Sequence, residues 1–180
     1  MATHSGVETA HFSMYCFWTG EKEIGKIDGV VETQPGFMGG REVVEIQYDP
    51  EVIPYEKLVQ QARKKDCASQ VFYNTDQQER QAAKVIGKTS IRPSSKFRLD
   101  KDLKYYLSQT PYQYVPMTPL QAVKVNSAIG DRQSPNSYLS PKQIELVNYF
   151  RKEGTKNFKN VVNEDFVSTW EEVNSKVYGG

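Results

Sequence analysis

The order of extended and helical segments in the first 65 residues constrains the fold of this chain most. Period-two and helical apolar spacings predict, in order, strand 11–16, helix 17–27, strand 30–36, strand 42–48 and helix 53–65. Gly39-Gly40 predicts a tight turn before the third strand. This strand–helix–strand–strand–helix order predicts an α+β fold with a ferredoxin-like core, in which a sheet carries its helices on one side.

The second half of the chain carries weaker signals. An extended stretch is predicted at 87–92, and helices are predicted at 76–85, at 119–129, from Ser140-Pro141 to about Arg151, and after a cap at Asn163. We expect a flexible N-terminus at 1–10 and a catalytic domain at 11–150. The helical extension at 151–180 is expected to pack on that core.

The composition excludes several classes of function. The 180 residues include 23 basic and 22 acidic ones, and this near balance argues against a dedicated nucleic-acid or anionic-membrane binder. No segment approaches the roughly 18 apolar residues of a membrane span. Two cysteines and two histidines are too few for a disulfide scaffold or a typical zinc site, so we expect no metal.

Cys16 lies where the first predicted strand gives way to a helix. The first turn of a helix carries partial positive charge, which favours a thiolate placed there. Phe17 and Trp18 follow directly and can form the apolar wall of a pocket. This position predicts a reactive cysteine, and the alternative is an ordinary buried one.

Glu42 begins the apolar face of the strand at 42–48. A carboxyl group withdrawn from water keeps its proton more readily, as a general acid near neutral pH requires. In the alternative, Glu42 turns to solvent at the strand end. If its strand neighbours that of Cys16, the two combine a soft nucleophile with a proton donor. That combination suits attack on an electrophilic sulfur whose oxygen leaves as water.

Several short motifs follow one another in the first 66 residues. They are CFWTGE at 16–21, GVVETQPGFMGG at 29–40, REVV at 41–44, YDP at 48–50 and IPYEKL at 53–58. In this order they resemble the GCFWGxE, GVxxTxxGYxGG, HAExV and YDPxxISYxxLL signatures of the A-type peptide methionine sulfoxide reductase family. The resemblance covers about residues 11–66 and fades beyond them.

The resemblance implies a role for each matched residue. Cys16 corresponds to the nucleophile that attacks the sulfoxide sulfur and becomes a sulfenic acid. Glu42 corresponds to the acid that protonates the sulfoxide oxygen, and Phe17 and Trp18 to the wall that holds the substrate methyl group. The implied activity is reduction of methionine S-sulfoxide, free or in proteins, as part of oxidative stress repair.

The resemblance also bears on cofactors and partners. It implies no bound cofactor and an external thiol reductant such as thioredoxin, glutaredoxin or glutathione. We expect a monomer in the cytoplasm, with no nucleic-acid partner and no membrane span.

The chain departs from the family at several positions. Tyr15 stands where the family has glycine, and the loop with a PTY segment before HAE is absent. That loop supplies a tyrosine that binds the sulfoxide oxygen. A second family tyrosine, in QYR, is replaced in the segment at 78–80. Losing one polarising donor costs on the order of a hundredfold in rate. The tyrosines that can replace them are Tyr105, Tyr106, Tyr112 and Tyr114.

Cys67 is the second cysteine of the chain. It follows three basic residues at 63–65, a positive environment that is expected to lower its thiol pKa. The family's usual resolving cysteines lie in a C-terminal tail, and residues 151–180 contain none. Cys67 is therefore predicted either to resolve the Cys16 sulfenic acid through a disulfide or to be a structural thiol.

The missing tyrosines leave two other functions open. One is a non-catalytic binding protein that keeps the reductase fold. The other is a redox sensor or thiol peroxidase that uses the same cysteine.

Overall fold

A computed structural model describes residues 6–179 of the chain. Its first elements are β1 (Glu8–Ser13), α1 (Phe17–Ile24), β2 (Val30–Met38), β3 (Arg41–Tyr48), α2 (Tyr55–Lys64) and β4 (Gln70–Tyr73). They are followed by α3 (Asp76–Ala83), β5 (Ile91–Pro93) and β6 (Arg98–Leu99). The remaining helices are α4 (Tyr105–Ser108), α5 (Pro119–Gly130), α6 (Pro141–Glu153) and α7 (Phe166–Tyr178).

The strands form one mixed sheet in the order β5-β4-β1-β3-β2-β6. The four inner strands are antiparallel to one another and β6 pairs antiparallel with β2, whereas β5 joins β4 in parallel at the other edge. The units β1–α1–β2 and β3–α2–β4 each straddle a strand of the other, which is the split arrangement of the ferredoxin-like fold. The predicted α+β fold class is confirmed.

The central strand β3 is buried on both faces of the sheet. Val44 faces α1, and a Cβ atom at Gly20 of that helix would lie only 3.0 Å from the Val44 side chain. Val43 faces the other way, into a cluster with Met38 and Phe72. Both valines are fully buried. The end of β3 is therefore held in a fixed position relative to α1.

The turn between β2 and β3 is formed by Gly39 and Gly40, as predicted. Both have left-handed backbone angles, with φ of 57° and 74°. A two-residue turn with positive φ at both positions matches the twist of antiparallel strands and favours glycine. The turn pairs Met38 with Arg41, and so it sets the register of the two strands.

The chain divides into two compact units, one ending at Lys101 and one beginning at Asp102. The second unit is helical. Its helices α5 and α6 begin with capping boxes at Thr118 and Ser140, the latter as predicted. The division precedes the domain limit at residue 150 that the sequence indicated. How much of the second unit belongs to the catalytic domain stays a prediction.

Several predicted boundaries differ from those in the structure. Strand β1 begins at Glu8, inside the segment expected to be flexible, because Glu8 pairs with Tyr48 of β3. Residues 1–5 lie outside the described part of the chain. Strands β4 and β6 were not predicted. The last helix is capped by Asp165, whose carboxylate accepts a 2.9 Å hydrogen bond from Ser168 N, and the prediction of Asn163 was wrong.

No helix within residues 6–179 is both long enough and apolar enough to cross a lipid bilayer. Over the same residues, no three His, Cys, Asp or Glu side chains gather as they would around a metal ion. The compartment stays a prediction.

Candidate active site

Cys16 is the N-cap residue of α1. Its backbone is extended, with φ of −138° and ψ of 117°, and its carbonyl accepts a 2.9 Å hydrogen bond from Gly20 N. The thiol is partly exposed. The structure therefore has the strand-to-helix position that the sequence predicts, with Cys16 at the positive end of a helix dipole.

The Glu42 carboxylate lies at the same helix end. Its Oε2 atom accepts a 2.9 Å hydrogen bond from the backbone N–H of Phe17. Antiparallel pairing of β1 with β3, in which Ser13 faces Val43, brings the two chain segments together. Glu42 therefore points neither into the core nor away into solvent, because it satisfies a free N–H of the first helical turn.

Two contacts of α1 hold this helix end against the sheet. A Cβ atom at Gly20 would lie 2.8 Å from the Met14 side chain, so glycine permits a close approach there. The Thr33 hydroxyl of β2 donates a 2.9 Å hydrogen bond to Oε1 of Glu21, and both residues are almost completely buried. These contacts give a structural role to two positions of the sequence motifs, at Gly20 and Glu21.

Three aromatic rings surround the start of α1. The buried Phe17 ring lies 5.4 Å from that of Phe37, edge to face, and 6.4 Å from that of Trp18. Phe37 stands directly opposite Glu42 in the β2–β3 register. The Arg98 guanidinium carbon lies 4.4 Å from the centre of the Phe37 ring. The site thus combines a thiol, a carboxyl group, an apolar wall and a nearby cation.

The sequence predictions assigned no role to Phe37 or Arg98. Phe37 lies within the matched segment at 29–40, in the position of the family tyrosine of GYxGG. This match to the motif could have identified Phe37 as a site residue. Arg98 belongs to a two-residue strand, which is too short to show a period.

Several curated sequences similar to this chain are named peptide methionine sulfoxide reductase MsrA. The peptide methionine sulfoxide reductase MsrA of Methanococcus maripaludis strain C7 is 30% identical, over 47% of this chain and 74% of that protein. The chain belongs to the MsrA family. MsrA 1 of Nostoc sp. strain PCC 7120 is 29% identical and covers 62% of this chain and 91% of its own length. The predicted enzyme class, an oxidoreductase acting on sulfur groups, is confirmed.

Two solved structures are also similar to the chain. MsrA of Corynebacterium diphtheriae has a TM-score of 0.49 and 20% identity, covering 62% of this chain and 79% of its own. Mxr1 from Saccharomyces cerevisiae, in an unusual oxidized form, has a TM-score of 0.48 and 19% identity, covering 66% and 91%. No protein-family model matches the chain.

The surroundings of the Cys67 thiol raise its pKa, whereas the sequence predicted that they lower it. Burial raises the pKa of the Cys67 thiol to about 11, and the nearby negative charge of Glu23 adds to this. The Lys65 ammonium, expected to lower that pKa, lies 3.5 Å from a Glu23 carboxylate oxygen. The Cys67 thiol also donates to the Lys65 carbonyl at 3.2 Å. The prediction of a lowered pKa was wrong.

The two cysteines are related to α1 through different residues of that helix. Cys16 caps the first turn, whereas the charged groups that act on Cys67 include Lys22 and Glu23 in the last turn. With a rise of 1.5 Å per residue, these positions are about 10 Å apart along the helix. A disulfide needs Cα atoms within about 7 Å of each other, and the resolving role of Cys67 stays a prediction.

The four tyrosines that could replace the missing MsrA-family tyrosines all lie in the second unit. That one of them binds the sulfoxide oxygen stays a prediction. The Tyr112 hydroxyl donates a 3.0 Å hydrogen bond to Asn136 of that unit. The ring of Tyr105 lies 5.5 Å from that of Tyr106, edge to face. The Tyr114 ring lies 5.6 Å from that of Phe150.

Proposed function

We propose that this chain reduces the S epimer of methionine sulfoxide, free or in proteins, through a sulfenic acid at Cys16. The 2.9 Å hydrogen bond from Phe17 N to Glu42 Oε2 carries the proposal, because it holds a carboxyl group beside the helix end that Cys16 caps. The names of the similar proteins from Methanococcus and Nostoc support the same substrate class.

Cys16 acts as the nucleophile. Its thiolate attacks the sulfoxide sulfur while the Glu42 carboxyl group gives its proton to the sulfoxide oxygen. The hydroxyl then passes from the substrate sulfur to the Cys16 sulfur, and the bond between the two sulfurs breaks. Cys16 is left as a sulfenic acid, and the substrate leaves as a thioether. The substrate sulfur gains the two electrons that the cysteine sulfur loses, and Glu42 is left as a carboxylate.

The hydrogen bond to Phe17 orients the acid. It occupies Oε2 of Glu42, so Oε1 is the oxygen that carries and donates the proton. Because the donor is a backbone group of a packed helix, the carboxyl group is positioned before the substrate arrives.

The aromatic rings provide the binding wall. Phe17 and Trp18 are adjacent in the chain, and Phe37 extends the surface that they form. An apolar wall favours the methyl group of the substrate over its oxygen, which orients the sulfur toward Cys16. This orientation is the basis for selecting one epimer.

Regeneration of Cys16 consumes two thiols. The first displaces water from the sulfenic acid and forms a mixed disulfide, and the second releases the Cys16 thiol and a disulfide product. We infer that an external reductant of the thioredoxin, glutaredoxin or glutathione type supplies both. Cys67 is the internal alternative for the first thiol.

Turnover of separated S and R sulfoxides of N-acetyl-methionine, with dithiothreitol as reductant, tests this function. We expect reduction of the S epimer alone, complete loss in Cys16→Ser, and retained turnover in the matched variant Cys67→Ser. Turnover that survives Cys16→Ser would overturn the mechanism. Peroxide-driven oxidation of Cys16 without reduction of either epimer would indicate a sensor or peroxidase instead.

A further inference from the structure

We propose that Arg98 determines substrate specificity by binding a carboxylate of the substrate a few bonds from the sulfoxide. The inference rests on the proposed reductase function and names its substrate class. Free methionine sulfoxide and its N-acyl forms carry such a group, whereas an internal residue of a protein does not.

The sheet register places Arg98 in the same cross-strand row as Glu42. Phe37 of β2 pairs with Glu42 on one side and with Arg98 on the other. Directly paired residues of adjacent strands project to the same face, so the three side chains form one row. Successive Cα atoms in such a row are about 5 Å apart, and Arg98 therefore begins about 10 Å from Glu42.

The Arg98 guanidinium lies over the Phe37 ring, the middle side chain of that row. Its carbon lies 4.4 Å from the centre of the Phe37 ring, close enough for a cation–π contact. Gly36 permits β6 to approach this closely, because a Cβ atom there would lie 2.4 Å from the Phe97 ring and 2.5 Å from the Arg98 carbonyl oxygen. Arg98 is thus positioned by both backbone and ring contacts.

No neighbouring carboxylate among residues 6–179 forms an ion pair with Arg98. Within the same residues, its guanidinium contacts the Phe37 ring. Its N–H donors are therefore available to a ligand. A guanidinium forms paired hydrogen bonds with a carboxylate, and it stays protonated at any working pH.

The distances match a small substrate. The carboxylate carbon of methionine is four bonds from the sulfur, a span of about 5 Å when extended. When the substrate sulfur lies between Cys16 and Glu42, the substrate carboxylate reaches the Phe37 ring and the Arg98 guanidinium above it. Because Arg98 is exposed, it contacts the outer part of the substrate rather than the reacting oxygen.

The test compares two sulfoxides that differ in one charge, N-acetyl-methionine S-sulfoxide and its neutral carboxamide. We expect wild type to prefer the acid about fivefold in kcat/KM, through a lower KM, since a partly exposed Arg–carboxylate pair contributes roughly that much. Arg98→Gln should bring the ratio close to one. Arg92→Gln, an exposed arginine on the opposite edge strand, should keep it.

The proposal is overturned if Arg98→Gln keeps the wild-type preference for the acid over the carboxamide. An equal decrease of kcat/KM for both compounds overturns it as well. Calorimetric titration of both compounds into Cys16→Ser, with and without Arg98→Gln, measures binding without turnover. If wild type reduces neither compound, the reductase function fails, and the titration alone decides on Arg98. Preferential binding of the acid that Arg98→Gln removes supports its role, and equal binding of both compounds overturns it.

Discussion

The Thr33 hydroxyl donates a 2.9 Å hydrogen bond to the buried Glu21 carboxylate, and it links β2 to the helix that Cys16 caps. Thr33 is 1% exposed and so is Glu21, so neither group can turn to bulk water if the other is removed. The pair therefore couples the stability of the sheet to the position of the candidate nucleophile.

Thr33→Val should lower the free energy of unfolding by about 1–3 kcal/mol, the usual cost of removing a hydrogen-bond partner from a buried polar group. Urea denaturation measures the change. Thr19→Val, at an exposed position of α1, is the matched control and should stay within about 0.5 kcal/mol. Equal stabilities for the two variants would show that the hydrogen bond contributes nothing.

Glu42→Gln should keep the fold and lose most of the turnover. The glutamine amide oxygen can still accept the hydrogen bond from Phe17 N, but the side chain has no acidic proton to give. Loss of a general acid typically costs about a hundredfold to ten-thousandfold in kcat.

The measurement is kcat for the S sulfoxide, with circular dichroism to confirm folding. Glu51→Gln, at an exposed position beyond β3, serves as the control for a lost charge. A kcat for Glu42→Gln within a few-fold of wild type would remove Glu42 from the mechanism.

Cys67 should make the protein less stable as the pH rises above about 9. Its folded-state pKa is raised to about 11, while an unfolded cysteine ionises near pH 8.5. Between these values the folded chain binds more protons than the unfolded one, so stability falls with increasing pH. The loss attributable to Cys67 should be about 2–3 kcal/mol by pH 10.5.

Urea denaturation at pH 8 and pH 10.5 checks this, with Cys67→Ala as the variant that lacks the titrating group. The pH-dependent loss should be smaller in the variant. An identical loss in both proteins would mean that the Cys67 thiol ionises as easily when folded as when unfolded.

Gly36→Ala should displace β6 from the edge of the sheet. The added methyl group would overlap the Phe97 ring and a backbone carbonyl, and such overpacking typically costs about 1–3 kcal/mol. Gly87→Ala is the control, since the nearest atom to its Cβ would be 3.9 Å away. Thermal unfolding distinguishes them, and similar melting temperatures would contradict the close approach.

Much of the first unit could be predicted because its signals are local. The Gly39-Gly40 turn follows from the rarity of positive φ in other residues. The position of Cys16 follows from a change of apolar period over a few residues. The ferredoxin-like order then follows from the succession of elements, since crossover rules leave few topologies.

Other features depend on residues that are distant in the sequence. Strand β4 is four residues long, and its identity rests on pairing with β1 more than fifty positions earlier. The pKa of Cys67 was predicted from the basic residues beside it, but burial and Glu23 outweigh them. Adjacent charges act through water, whereas burial removes the water that would stabilise a thiolate.

The sequence by itself therefore determined the α+β class, the glycine turn, the helix end at Cys16 and the family resemblance, because each depends on spacing within a few residues. The tertiary structure alone decided which way Glu42 points and that Phe37 and Arg98 stand in line with it. Glu42 is 25 residues from Phe17, and strand register and close helix packing bring such distant groups within hydrogen-bond distance.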